Sequence, residues 1–160
     1  MSAQASTPWG ALFDWDGVVI DSSAAHERSW ELLADEEKRH LPPGHFEAGF
    51  GRRNTDLIPN ILGWSDDPTE VARLGDRKEE LYREIIRAEG IAPLPGAAEL
   101  IRWLKEHGVP CAVGTSTPRA NVAAVLEVIG LQGCFQTLVA AENVAHGKPD
   151  PEVFVTGATR

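Results

Sequence analysis

Two stretches of the chain, residues 10–21 and 94–160, alternate short apolar runs with segments of helical rhythm, and everything between them reads as helix alone. Alternation of that kind points to a parallel sheet, because a strand returning in the same direction needs a crossover, usually a helix, over the sheet face. The helical block follows directly on the first strand. The expected architecture is therefore an α/β core interrupted by a helical insertion. Gly10–Asp14 reads as a short buried strand that meets an acidic turn, with Val18, Val19 and Ile20 beyond it. A helix is expected from Ser22 to Leu41, with Trp30, Leu33 and Ala34 on one stripe, stopped by Pro42-Pro43-Gly44. Residues 45–50 suggest a short helical piece. A further helix, capped by Asn54 or Thr55, runs through Leu57, Ile58, Ile61 and Leu62 to Gly63, although Pro59 lies inside it.

Ser65-Asp66-Asp67-Pro68 is a start signal for a helix reaching Glu89. Val71, Leu74, Leu81 and Ile85 share one side of it, Glu79 and Arg83 stand at i,i+4 spacing as a surface pair, and Gly75 is a weak spot. Ile91–Gly96 is the clearest linker. After it come helix 97–107, strand 109–114, helix 119–129, strand 137–141 and a last helix from near Pro151.

With 160 residues, an apolar share of 42% and 15 glycines, the chain has the composition of a globular protein with a core of ordinary size. Its formal net charge of −9 argues against nucleic acid and anionic membrane surfaces as partners. Cys111 and Cys134 lack the spacing of a zinc site and are expected as buried free thiols. The opening residues 1–9 read as a loose leader without the basic and apolar regions of a signal peptide, and no apolar run approaches the roughly 20 residues of a membrane span. A cytoplasmic protein without a membrane partner is the expectation.

Three segments carry chemistry. Phe13-Asp14-Trp15-Asp16-Gly17 sets two carboxylates at the C-terminal end of a strand, where open parallel sheets bind ligands. Carboxylates that close resist joint ionisation unless a cation intervenes or one holds a proton, which suits a nucleophile beside an acid. A capping pair at a strand–helix turn is the plainer alternative for this piece alone. Val113-Gly114-Thr115-Ser116-Thr117-Pro118 offers hydroxyls and amides for phosphate at a second strand end, or simply a helix cap. His146-Gly147-Lys148-Pro149-Asp150 holds a lysine after the third strand, a fixed charge for an anion or else an ordinary charged turn. An acidic pair, a hydroxyl and a lysine at three successive strand ends together match phosphoryl transfer through an aspartyl-phosphate.

On these segments the chain resembles the haloacid dehalogenase superfamily of phosphatases and phosphomutases: FDWDGVVIDS is similar to its first motif, GTSTPR to its second and HGKPDPEVF to its third. The likeness extends over nearly the whole chain, and the insertion resembles the cap of the branch containing β-phosphoglucomutase and sugar-phosphate phosphatases. It implies a Rossmann-like three-layer core with a parallel sheet, formed by 1–21 and 93–160, and an all-helical cap over 22–92. It further implies a Mg²⁺-dependent phosphatase acting on a small phosphorylated metabolite, such as a sugar phosphate. Asp14 would be the nucleophile and Asp16 the acid and base. Mg²⁺ would sit on the Asp14 carboxylate and the Asp16 carbonyl. Thr115 and the Ser116 amide would hold the phosphoryl group, with Gly17 beside them and Lys148 neutralising its charge. In the cap, His26 would link to Asp16, while Arg52, Arg53 and Lys78 would face the distal end of the substrate. Trp30 and Trp64 are expected to pack rather than to bind sugar.

The chain departs from the pattern in one respect. The family's fourth motif, an acidic pair after a fourth strand, has no match before Arg160. The expectation is of a truncated product with the C-terminal strands missing, an exposed first strand, marginal stability or weak self-association, and weak Mg²⁺ binding. Glu142 and Asp150 are remote candidates as substitute ligands. A phosphomutase and a catalytically incomplete fragment remain the alternatives, with a dehalogenase a distant third.

Overall fold

The computed structural model describes residues 9–160, so most of the expected leader lies outside the described residues. In chain order the elements are β1 (Ala11–Phe13), α1 (Ser23–Glu37), α2 (His45–Gly49), α3 (Asn54–Leu57), a π-turn (Ile58–Leu62), α4 (Pro68–Glu89), α5 (Ala97–Glu106), β2 (Cys111–Gly114), α6 (Arg119–Ile129), β3 (Thr137–Val139), a 3₁₀ turn (Ala141–Asn143) and α7 (Glu152–Thr159).

The strands form one parallel sheet in the order β1-β2-β3, with Leu12 opposite Ala112 and Val113 opposite Leu138. Alternation of side chains divides the helices into two layers. Phe13 and Val113 point to the face covered by Ala98 and Ile101 of α5 and Val122 and Val125 of α6. Leu12 and Ala112 point the other way, toward α7, where a Cβ added at Gly157 would lie 2.9 Å from Leu12 Cδ1. Helices on both faces of a parallel sheet give the three-layer α/β fold that the alternation implies. Among the described residues β1 is an outer strand, and Leu12 is 38% exposed.

The insertion has its own core of Trp30, Leu33, Leu57, Ile58, Leu62, Trp64 and Leu74. Trp30 and Trp64 meet edge to face at 6.0 Å, and Trp64 Nε1 donates to the His40 carbonyl, so both tryptophans pack as expected. Residues from α4 join both cores: Leu81 belongs to the insertion, while Tyr82 and Ile86 pack with Trp15 and Val113. The two crossings between sheet and insertion run side by side, Ile20 bridging Pro93 and the Leu94 N–H donating to the Val19 carbonyl at 2.9 Å.

Several local expectations need correction. Helix α1 stops at Glu37, before the Pro42 signal, because Lys38 adopts a left-handed conformation with its N–H turned back to the Asp35 carbonyl. Pro59 cannot continue an α-helix, and the backbone widens into a π-turn at that point before ending at Gly63. Arg53, not Asn54 or Thr55, occupies the cap of α3. Asp67 does cap α4, its side chain accepting from the Glu70 N–H, with Pro68 in the first turn. Gly75 is buried, with Asn54 packed 3.2 Å from where its Cβ would be, so its lack of a side chain serves packing. The Glu79–Arg83 pair does not form: Glu79 is buried and Arg83 donates instead to Asn121 Oδ1 at 2.8 Å. Both cysteines are buried and free.

Candidate active site

Asp14 is the first residue beyond β1. Lys148 Nζ lies 2.7 and 2.8 Å from its two carboxylate oxygens, and the Trp15 N–H donates to Oδ1 at 2.7 Å. The pair is about a third exposed, which leaves it open to a ligand. Beyond it the chain turns tightly: Val19 N–H donates to the Trp15 carbonyl and Gly17 N–H to the Ile20 carbonyl, both at 2.8 Å. Gly17 has φ 78°, a conformation that a side chain would strain.

That turn aims Asp16 at three elements at once. Its Oδ1 accepts from the Ser22 hydroxyl at 2.5 Å and its Oδ2 from the Thr117 hydroxyl at 2.5 Å. His26 Nε2 stands 3.8 Å from Oδ1. Burial alone would raise the Asp16 pKa. The hydrogen bond from His26, with those from the two hydroxyls, outweighs it and holds the carboxyl at about 2. A carboxyl held below its ordinary value of 3.8 stabilises the fold above that pH, and the contribution is lost as pH falls toward 2. Asp16→Asn should therefore flatten the acid limb of an unfolding-versus-pH profile by on the order of 2 kcal/mol. An unchanged limb would contradict this assignment.

Ser22 and His26 arrive with the start of α1. The Ser22 side chain makes no cap bond to that helix, since its hydroxyl is committed to Asp16. His26 stacks on Tyr82 with centroids 4.2 Å apart, and Lys78 Nζ donates to its Nδ1 at 2.7 Å. The His26 pKa is lowered, chiefly by burial and then by the Lys78 charge, so the ring is held neutral with Nε2–H toward Asp16.

The segment after β2 supplies hydroxyls. Thr115 is buried, its N–H donating to the Val139 carbonyl and its Oγ1 accepting from the Thr117 N–H at 3.0 Å. The loop after β3 brings Lys148. Glu152 fixes it by accepting from the Ala145 and His146 N–H groups at 3.0 and 2.8 Å. Arg53 reaches across from the insertion to donate to the Val144 and Ala145 carbonyls at 3.4 Å.

These parts surround a cavity of about 810 Å³ whose walls include Asp16, His26, Arg53, Ser116, Thr117 and Lys148. Of the residues singled out from sequence, Asp14, Gly17 and Thr115 are not part of its wall: Asp14 adjoins it through Lys148, Gly17 turns the chain beside Asp16, and Thr115 is buried next to Ser116. Arg52 reaches the same cavity but is paired with Asp56 at 2.9 Å. Lys78 borders it with 3% of its surface exposed, engaged by His26 and Glu79. Ser22, Thr117, Glu79 and Asn121 had no sequence-level role in the site. Ser22 and Thr117 look like helix starters in sequence, and Glu79 like a surface residue.

The Asp14 carboxylate and the Asp16 carbonyl are hard oxygen donors of the kind Mg²⁺ takes. Among the described residues no three His, Cys, Asp or Glu side chains converge as a metal-binding group. Glu142 and Asp150 are committed elsewhere, Glu142 to the Arg119 N–H and Asp150 to the Glu152 N–H. No helix among the described residues is long and apolar enough to cross a membrane.

Comparison with known proteins extends this picture. A family model described as haloacid dehalogenase-like hydrolase matches residues 10–160. The chain is 36% identical over 152 residues to the chloroplastic 5-amino-6-(5-phospho-D-ribitylamino)uracil phosphatase of Arabidopsis thaliana, covering 93% of this chain and 40% of that one. It is 33% identical over 151 residues to hexitol phosphatase A of Escherichia coli, covering 93% of this chain and 67% of that one. A crystal structure of CbbY from Rhodobacter sphaeroides with xylulose-(1,5)bisphosphate superposes with a TM-score of 0.84 at 22% identity, over 94% of this chain and 71% of that one. At that identity the superposition speaks for the fold alone. The chain thus spans less than half of the plant relative and about two thirds of the bacterial one.

Proposed function

The chain belongs to the haloacid dehalogenase-like hydrolase family, and from that premise we propose that it serves as a phosphatase of small phosphate monoesters, sugar phosphates foremost, through an aspartyl-phosphate on Asp14. The observation that carries the proposal is the pairing of Lys148 with both oxygens of Asp14 beside a separately anchored Asp16. In this reading residues 22–92 form a cap over a core of 1–21 and 93–160.

An Asp14 oxygen attacks phosphorus as the bond to the ester oxygen breaks, and Asp16 gives that oxygen a proton. A water then attacks the phosphorus of the acyl phosphate, Asp16 takes its proton, and Asp14 is released. Asp16 is an anion at neutral pH, which suits the second step. An arriving phosphate dianion raises its proton affinity, which readies it for the first. Lys148 orients Asp14 through both of its oxygens and meets the charge of the transferring group. The Ser116 amide and the Thr115 hydroxyl stand at the strand end where the phosphoryl oxygens would lie. Mg²⁺, held by the Asp14 carboxylate and the Asp16 carbonyl, would supply further neutralisation of the phosphoryl charge.

One carboxylate and one carbonyl leave most of an octahedron to water, so Mg²⁺ should bind this chain weakly. Calorimetry should show no saturation at micromolar Mg²⁺, and tight stoichiometric binding would refute the donor set.

Phe46 and Phe50, with ring centroids 5.3 Å apart, line the same cavity. They give ring-bearing phosphate esters a place beside pentose and hexitol phosphates, in keeping with the ribitylaminouracil phosphate named for the plant relative. The buried free thiols suit a reducing, cytoplasmic setting. The test is phosphate release from such a panel with Mg²⁺ present. Release that saturates on at least one ester supports the proposal, and none from any ester by the folded chain refutes it.

A further inference from the structure

Lys78 is a buried cation in an aromatic setting. Its Nζ lies 5.4 Å from the centre of the Trp30 ring and 5.6 Å from that of Tyr82, and only 3% of the residue is exposed. Burial of an ammonium is costly unless it is paired. Glu79 is its carboxylate partner, with Oε1 3.1 Å from Nζ. That carboxylate is itself fixed by two amides from different elements. Asn54 of α3 donates to Oε1 at 2.7 Å, and Asn121 of α6 donates to Oε2 at 2.5 Å. Asn121 is fully buried and held in turn by Arg83. Glu79 therefore joins the insertion to a helix that covers the sheet, at the point from which Lys78 reaches His26 and His26 reaches Asp16.

We infer that Glu79 is a positioning residue: it keeps Lys78 cationic inside the cap, and through Asn121 it fixes the Lys78–His26 arm in register with Asp16. Lys78 as a cation has only donors to offer, so it holds His26 Nδ1 as an acceptor and leaves Nε2–H toward the carboxylate. Without its proton Lys78 no longer imposes that orientation. The groups facing Lys78 are His26 from α1 and Glu79 and Tyr82 from α4, with Asp16 beyond His26. Glu79 is the only anion among them in contact with it. Burial pulls the Lys78 pKa down and the Glu79 charge opposes that pull, while the Lys78 charge and the two amides hold Glu79 ionised against its own burial.

The first test needs no substrate. In lysine ¹³Cε NMR of the whole chain, Lys78 should stay charged through neutral pH in the wild type. In Glu79→Gln it should titrate well below that, because the amide keeps the shape and removes the charge. A neutral Lys78 in the wild type at pH 7, or no shift in the variant, overturns the inference. The second test rests on the phosphatase reading. Glu79→Gln should lower kcat at least tenfold at pH 8, with KM within threefold, and the variant-to-wild-type ratio should climb as pH is lowered and Lys78 regains its proton. A merely structural role gives a ratio independent of pH, and that result would also overturn it. If Glu79→Gln does not fold, the wild-type titration decides alone. If the wild type releases no phosphate, the phosphatase reading fails while the NMR result still judges Glu79.

Discussion

Asp14→Asn should reduce phosphate release by about 10⁴-fold or more, in line with the loss of a nucleophile elsewhere. The amide that replaces the carboxylate is a poor nucleophile and carries no charge for Lys148 to orient. The fold should survive, because Asp14 lies beyond the end of β1, partly exposed, and its partners are one side chain and the adjoining amide. Lys148 keeps its place through its loop, which Glu152 and Arg53 hold independently. The check is single-turnover phosphate release beside a thermal melt. A folded Asp14→Asn protein with turnover near that of the wild type would exclude the aspartyl-phosphate route.

Asp16→Asn carries the second large effect, and it depends on the leaving group. With alkyl phosphates the loss should be about 10²–10⁴-fold, the usual range for removing a general acid. With p-nitrophenyl phosphate the departing phenolate needs no proton, so the first step is largely spared. The second step still lacks its base. The expected trace is a burst close to one equivalent of nitrophenolate followed by slow turnover, as phosphorylated Asp14 accumulates. Equal losses on both substrates and no burst would show that Asp16 does not serve as acid and base. Asparagine can accept from one of the two hydroxyls and donate to the other once that hydroxyl turns, so a carboxamide of the same shape fits between Ser22 and Thr117.

The sequence revealed the sheet and its crossovers because strands and helices announce themselves by period, and Gly10–Asp14, 109–114 and 137–141 each stand next to a helical run. It pointed to Asp14, Asp16 and Lys148 as candidates because ligand sites of such folds gather at strand ends. Their convergence was implied by order along the chain, and the distances from Lys148 to Asp14 bear out the contact between segments 134 residues apart. What stayed hidden was whatever depends on tertiary burial. Glu79 and Arg83 sit at the spacing of a surface pair, and nothing local says that α6 will cover one of them. Ser22 and Thr117 belong to residue types that start helices, so their service to Asp16 had no separate signature. The early end of α1 at Lys38 likewise reflects a left-handed conformation that few side chains advertise.

The pairing of Ile20 with Pro93 has a consequence for how the sheet is reached at all. Strands β1 and β2 are neighbours although nearly a hundred residues separate Leu12 from Ala112. Closing so long a loop from a disordered chain costs conformational entropy and slows folding. Once the helices between them have packed on their own core, that loop has already been closed, because its two ends emerge side by side. To the strands, the intervening segment is then equivalent to a short turn. Order would spread from the helical part to the sheet, and the length of the insertion would be almost free to vary without disturbing the strands it interrupts.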